Sequence, residues 1–263
     1  MFKGLRRPAV VVLIAFVFAS FPGITLANHS WGGYHWARQS NPFTLKLGDN
    51  VSTTWDSYLA TTSSDWTASS VLNTTIVPGQ AKPRNCRPTS GRVEVCNATY
   101  GNNGWLGVAQ IWVSGSHITQ GTVKLNDTYF DTPQYDTPGW RNLVSCQEVG
   151  HTLGLDHQDT NFNNTNLGTC MDYTSNPYGP PDNEHPNKHD YDELVTIYSH
   201  FDSSTTVGSA APPAMNDIEL NGPAQWGKLV KRSRGGHTEV YEADFGGGHK
   251  VFTFVIWAEA VGE

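Results

Sequence analysis

The stretch Cys146-Gln147-Glu148-Val149-Gly150-His151-Thr152-Leu153-Gly154-Leu155-Asp156-His157 decides how the rest of the chain is read. On a helix of about 3.6 residues per turn, Gln147 and His151 stand four apart and project from one face, with Glu148 beside that face. Gly154 tolerates the left-handed backbone that ends a helix sharply, which swings His157 back toward the two helical side chains. A catalytic zinc takes three protein ligands and keeps a position for water, whose proton a nearby carboxylate must accept. The spacing therefore suits His151 and His157 to two of the metal-ligand roles and Glu148 to the general-base role. Met171-Asp172-Tyr173 begins 14 residues beyond His157 and is expected to fold beneath the metal, with Tyr173 facing it.

Working outward, a helical pattern covers residues 140–153 and stops at Gly154. A second covers 189–198, where Tyr191, Leu194, Ile197 and Tyr198 share a buried face, and His189 reads as a helix-start residue. A third, with Trp55, Tyr58, Leu59 and Trp66 at mostly helical intervals, covers 52–72. Strand-like runs at 71–77, 92–99, 106–113 and 122–125 are separated by Gly, Pro and Asn clusters. Residues 202–213 have the Ser/Thr/Ala/Pro composition of a linker, and 238–245 and 249–258 flank Gly246-Gly247-Gly248 as a hairpin. The chain is thus divided into a signal segment (1–27), a main domain (28–202), a linker (203–216) and a hairpin appendage (217–263). The main domain is expected to fold alone, unless Val251, Phe252, Phe254 and Ile256, apolar on both strand faces, dock the hairpin against it.

The chain has 263 residues, with 24 Asp+Glu against 17 Lys+Arg and a net charge of −7, which argues against a nucleic-acid partner. Lys3, Arg6 and Arg7 precede the apolar run 9–19, and Thr25-Leu26-Ala27 supplies small residues for a signal peptidase. The longer run 9–21 falls short of the ~18–20 apolar residues that span hydrocarbon, so export is expected with no membrane association after cleavage. Four cysteines in an exported chain imply two disulfides in one of three pairings. The Pro/Ser/Gly turn between Cys86 and Cys96 favours their bridge, leaving Cys146 with Cys170. Sequons stand at Asn28, Asn50, Asn73, Asn97, Asn126 and Asn163. Asp127, Asp131 and Asp136 suggest a calcium loop, though without the EF-hand glycine pattern. His29, His35, His117, His237 and His249 have no ligand spacing and read as surface or strand residues.

The 146–173 region resembles the metzincin metalloendopeptidases, whose motif H-E-x-x-H-x-x-G-x-x-H is followed by a methionine-containing turn. Glu148, His151, Gly154, His157 and Met171 match it, whereas Gln147 stands where the motif has its first histidine. Met171-x-Tyr173 is similar to the astacin and serralysin version, in which the tyrosine is a fifth metal ligand and steadies the oxyanion. His189-Asp190-Tyr191 with Leu194, Ile197 and Tyr198 is similar to the helix closing serralysin and matrixin domains. The resemblance spans roughly residues 43–201. It implies an α+β catalytic domain with a twisted mixed sheet, an active-site helix and a Met-turn, followed here by the hairpin appendage. It also implies a secreted zinc endopeptidase acting on polypeptide laid along an edge strand, for which 106–113 is the candidate. Two rivals stand beside it. One is a pseudo-peptidase binding module, because a neutral amide is a poorer zinc ligand than imidazole. The other is a carbohydrate-facing domain drawing on nine tryptophans.

Overall fold

The computed structural model describes residue 1 and residues 29–215, 218 and 220–259. The expected signal segment falls outside them apart from its first residue. Strands are β1 (His35–Trp36), β2 (Phe43–Asn50), β3 (Leu72–Pro78), β4 (Val93–Ala98), β5 (Trp105–Ser114), β6 (His117–Asn126), β7 (Lys228–Arg232), β8 (Thr238–Asp244) and β9 (His249–Trp257). Helices are α1 (Asp56–Thr67), α2 (Asp127–Phe130), α3 (Pro138–Thr152) and α4 (Lys188–Ile197). The fold is α+β, built on one mixed sheet in the order β3-β2-β4-β6-β5-β9-β8-β7. The β2–β3, β2–β4 and β4–β6 pairings are parallel, and every pairing from β6 to β7 is antiparallel. Strand β1 joins the start of β6, with His35 opposite His117.

Two expectations are corrected here. The C-terminal hairpin is not an appendage: β9 pairs with β5 from Trp105↔Trp257 to Ser114↔His249, inside the sheet. For the same reason the 106–113 strand is not an edge, since β6 flanks one side and β9 the other. The physical cause lies in the two-sided apolar pattern of β9. Phe252, Phe254 and Ile256 join the core beneath the helices, whereas Val251 and Val255 join a second cluster with Trp105, Val108, Trp112, Met215 and Trp226 on the opposite face. A strand covered on both faces reads as a continuous apolar run, and this one needs a neighbour on each edge.

The linker-like segment is docked as well. Thr206 N–H donates to Ala37 O (3.0 Å) and Gly208 N–H to Gly91 O (2.8 Å), while the buried Gln120 and Gln110 side chains donate to Met215 O and Leu220 O (both 3.1 Å). Those two amides explain why polar residues inside β5 and β6 are tolerated, and why 117–121 did not read as strand. Helix α1 is shorter than the 52–72 pattern because Ser52 and Trp55 close a turn before it, Trp55 N–H donating to Ser52 O at 2.8 Å. The disulfides are Cys86–Cys96 and Cys146–Cys170, as expected, each with Cα atoms 5.9 Å apart. Such bridges fit an oxidising compartment. Among the described residues no helix is long and apolar enough to cross a membrane. Three sequon asparagines, Asn50, Asn97 and Asn126, are buried.

Candidate active site

Helix α3 carries the first half of the site. Thr137 caps it by accepting from Trp140 N–H, Pro138 occupies its first turn, and Trp66 Nε1 donates to Cys146 O (3.1 Å), fixing it against α1. Its end is a Schellman turn: Gly154 N–H returns to His151 O (3.1 Å) and Leu155 N–H to Gly150 O (3.3 Å). Gly154 has φ +96, and a Cβ there would stand 2.3 Å from Tyr34 O. No other residue type fits that corner without moving backbone. Trp36 Nε1 and the Tyr198 hydroxyl donate to the remaining carbonyls, Thr152 O (2.9 Å) and Leu153 O (3.0 Å).

The corner brings His157 back to His151 as the sequence implied, their rings meeting edge to face at 4.6 Å. Each ring has one nitrogen committed and one free. His151 Nδ1 faces Leu155 O (2.9 Å), and because a carbonyl only accepts, Nδ1 carries the proton and Nε2 the lone pair. His157 Nδ1 stands 3.5 Å from Asp156 Oδ1, whose other oxygen pairs with Lys231. Gln147 Nε2 donates to Cys170 O (2.6 Å), which turns its Oε1 the other way. The result is that Gln147 Oε1, His151 Nε2 and His157 Nε2 are all buried without a hydrogen-bond partner.

Glu148 is fully buried with both carboxylate oxygens unpartnered. It lies against β5 at Gly107, where an added Cβ would meet Glu148 Oε1 at 2.8 Å. Burial pushes its carboxyl well above the usual range. Burial, reinforced by His157, pushes His151 down to about 3, so it stays neutral. Met171 lies under the helix, its sulfur 2.6 Å from where a Gly150 Cβ would be. Tyr173, expected to face the metal, instead donates its hydroxyl to Trp257 O (3.3 Å) and packs against Phe162 and His237. Strand β9 thus closes over the site, with Phe254 stacked on His151 at 4.4 Å and 9°.

The calcium reading loses its ligands. Asp127 accepts from Trp55 Nε1 (2.9 Å) and Asn97 Nδ2 (2.5 Å), while Asp136 and Asp131 face the Arg141 guanidinium (3.0 and 3.7 Å), which supplies their positive charge. The carbohydrate reading loses its platform, since six tryptophans, Trp36, Trp55, Trp66, Trp105, Trp112 and Trp226, are fully buried. Two groups the sequence did not reveal carry metal-ligand atoms within 4.8 Å of one another: His29, His189 and Asp190, and His35, His200 and Asp202. Their members lie up to 167 residues apart, so no local spacing marks them. The one sequence hint was the unusual number of histidines, ten. No protein-family model matches the chain, and none of the curated proteins matches it.

Proposed function

We propose that this protein is a secreted, zinc-dependent endopeptidase, with the ion held by Gln147, His151 and His157 and with Glu148 as general base. What supports the reading is the set of buried, unpartnered atoms on Gln147, Glu148, His151 and His157. Each such group costs about 1–3 kcal/mol in a native interior, so this many of them on the one segment 147–157 call for a ligand. A zinc-class ion there supplies Lewis acidity toward a carbonyl and a water. Gln147 presents an amide oxygen held in aim by Cys170 O, and the two histidines present Nε2 atoms while Nδ1 faces Leu155 O in His151 and Asp156 in His157. Glu148 takes the proton of the attacking water and passes it to the leaving amine, a task suited to a carboxyl whose proton affinity burial has raised. Tyr173 serves an oxyanion only if its hydroxyl leaves Trp257 O.

The second reading is a pseudo-peptidase, a metzincin-like binding module in which Gln147 has abolished tight zinc binding. It is favoured by β9, which pairs with β5 where an extended substrate would add and sets Phe254 on His151. Elemental analysis of the purified protein, with an assay on an unstructured polypeptide using wild type and Glu148→Gln, separates the two. Metal-dependent hydrolysis that falls by about 10²–10⁴ in Glu148→Gln supports the peptidase. The absence of both bound metal and hydrolysis selects the second reading, and tightly bound metal without hydrolysis overturns both.

A further inference from the structure

We infer that His35, His200 and Asp202 form a second, three-ligand site for a divalent transition metal of the zinc class, with His117 beside it on Asp202. The assignment is independent of the reading given to the 147–157 centre. Strand β1 sets His35 directly opposite His117 at the start of β6, and the tail leaving α4 brings His200 and Asp202 onto them. Asp202 Oδ1 stands 3.2 Å from His117 Nε2, 3.5 Å from His35 Nε2 and 3.8 Å from His200 Nε2, and the His35 and His200 Nε2 atoms are 3.2 Å apart. Two ligands about 2.0–2.1 Å from a tetrahedral ion stand about 3.3–3.4 Å from each other, so the three separations among His35, His200 and Asp202 are close to the edges of one face of such a shell, with the fourth position left to water.

The inward-facing atoms are held in place from behind. His35 Nδ1 donates to Gly33 O (2.8 Å), which leaves its Nε2 as a lone pair. Asp202 Oδ2 accepts from Arg38 N–H and Arg38 Nη1 (both 3.1 Å), which leaves Oδ1 for the cluster. Neutral His35 therefore points an acceptor at a carboxylate oxygen, an arrangement that a cation between them relieves. Two imidazoles and one carboxylate suit zinc, cobalt or nickel better than calcium or magnesium. An ion held by this set joins two distant chain segments, β1 and the tail beyond α4. The side chains of His35 and Asp202 are 5% and 10% exposed but those of His117 and His200 are 35% and 52%, so an ion reaches the cluster from solvent. A groove of about 390 Å³ lined by His117, Thr119, Thr206 and Pro212 opens beside it.

The test uses the full chain, stripped with a chelator and titrated with cobalt(II) while visible absorption is followed. Wild type should develop the intense bands of four-coordinate cobalt, and Gln147→Ala should retain the component owed to this cluster. His200→Ala, at a half-exposed position, should lose that component and bind zinc there at least tenfold more weakly. Its metal-free Tm should match that of wild type, and the Tm gain on adding zinc should shrink. Wild-type stoichiometry and affinity in His200→Ala would overturn the assignment. So would the absence of a four-coordinate cobalt component in Gln147→Ala, whose tail cluster is untouched.

Discussion

Phe254→Ala tests whether β9 is part of the core or a cover laid over the site. Phe254 is fully buried, opposite Ala109 of β5 and Val240 of β8, and stacked on His151 with Trp31 edge-on at 5.3 Å. Truncating a buried phenylalanine costs about 3–5 kcal/mol, the upper half applying where neighbours cannot collapse. Here β5 and β8 hold both sides by ladder hydrogen bonds, and the rigid Trp31 and His151 rings line the rest. The aromatic contacts add about 0.5–1.5 kcal/mol beyond area, so a loss of about 4 kcal/mol is expected. With an m-value of about 2 kcal/mol/M in urea, the unfolding midpoint drops by about 2 M at unchanged slope. The assay is urea unfolding followed by circular dichroism with disulfides intact. A loss below about 1 kcal/mol, the size of an ordinary surface substitution, would refute the reasoning and return the hairpin to the status of an appendage.

Replacing both Cys146 and Cys170 by serine should cost about 3 kcal/mol from loop entropy, measured by denaturant unfolding. It should also weaken metal binding, because Gln147 takes its aim from Cys170 O. Gln147→His should hold zinc at least tenfold more tightly in chelator competition, since imidazole suits zinc better than an amide oxygen. Equal affinity would mean that position 147 is not a ligand. Burial raises the Asp127 carboxyl, against the pull of Trp55 and Asn97, so the fold binds its proton more tightly than the unfolded chain does. That group contributes stability as pH falls from its raised value toward 3.8, and Asp127→Asn should lack this gain when urea unfolding is compared at pH 7 and near pH 4. Parallel profiles would show that Asp127 titrates normally.

The local features were legible because they depend on neighbours along the chain. Gln147 and His151 share a helix face by their spacing of four, and Gly154 ends that helix because only glycine accepts φ +96 against Tyr34 O. The turn between Cys86 and Cys96 marked its own bridge, which in turn left Cys146 to Cys170. Strand β9 announced its two apolar faces without saying what would cover them. Which strand lies beside β5 is decided by burial on both sides of a sheet, a tertiary condition that no periodicity contains. Tyr173 fell under the same limit, since its hydroxyl partner is the carbonyl of Trp257, 84 residues away. The cluster at His35, His200 and Asp202 is the extreme case. Its members had no spacing to read, because a group gathered from a strand and a returning tail exists only once β1 lies on β6 and the chain beyond α4 folds back onto Arg38.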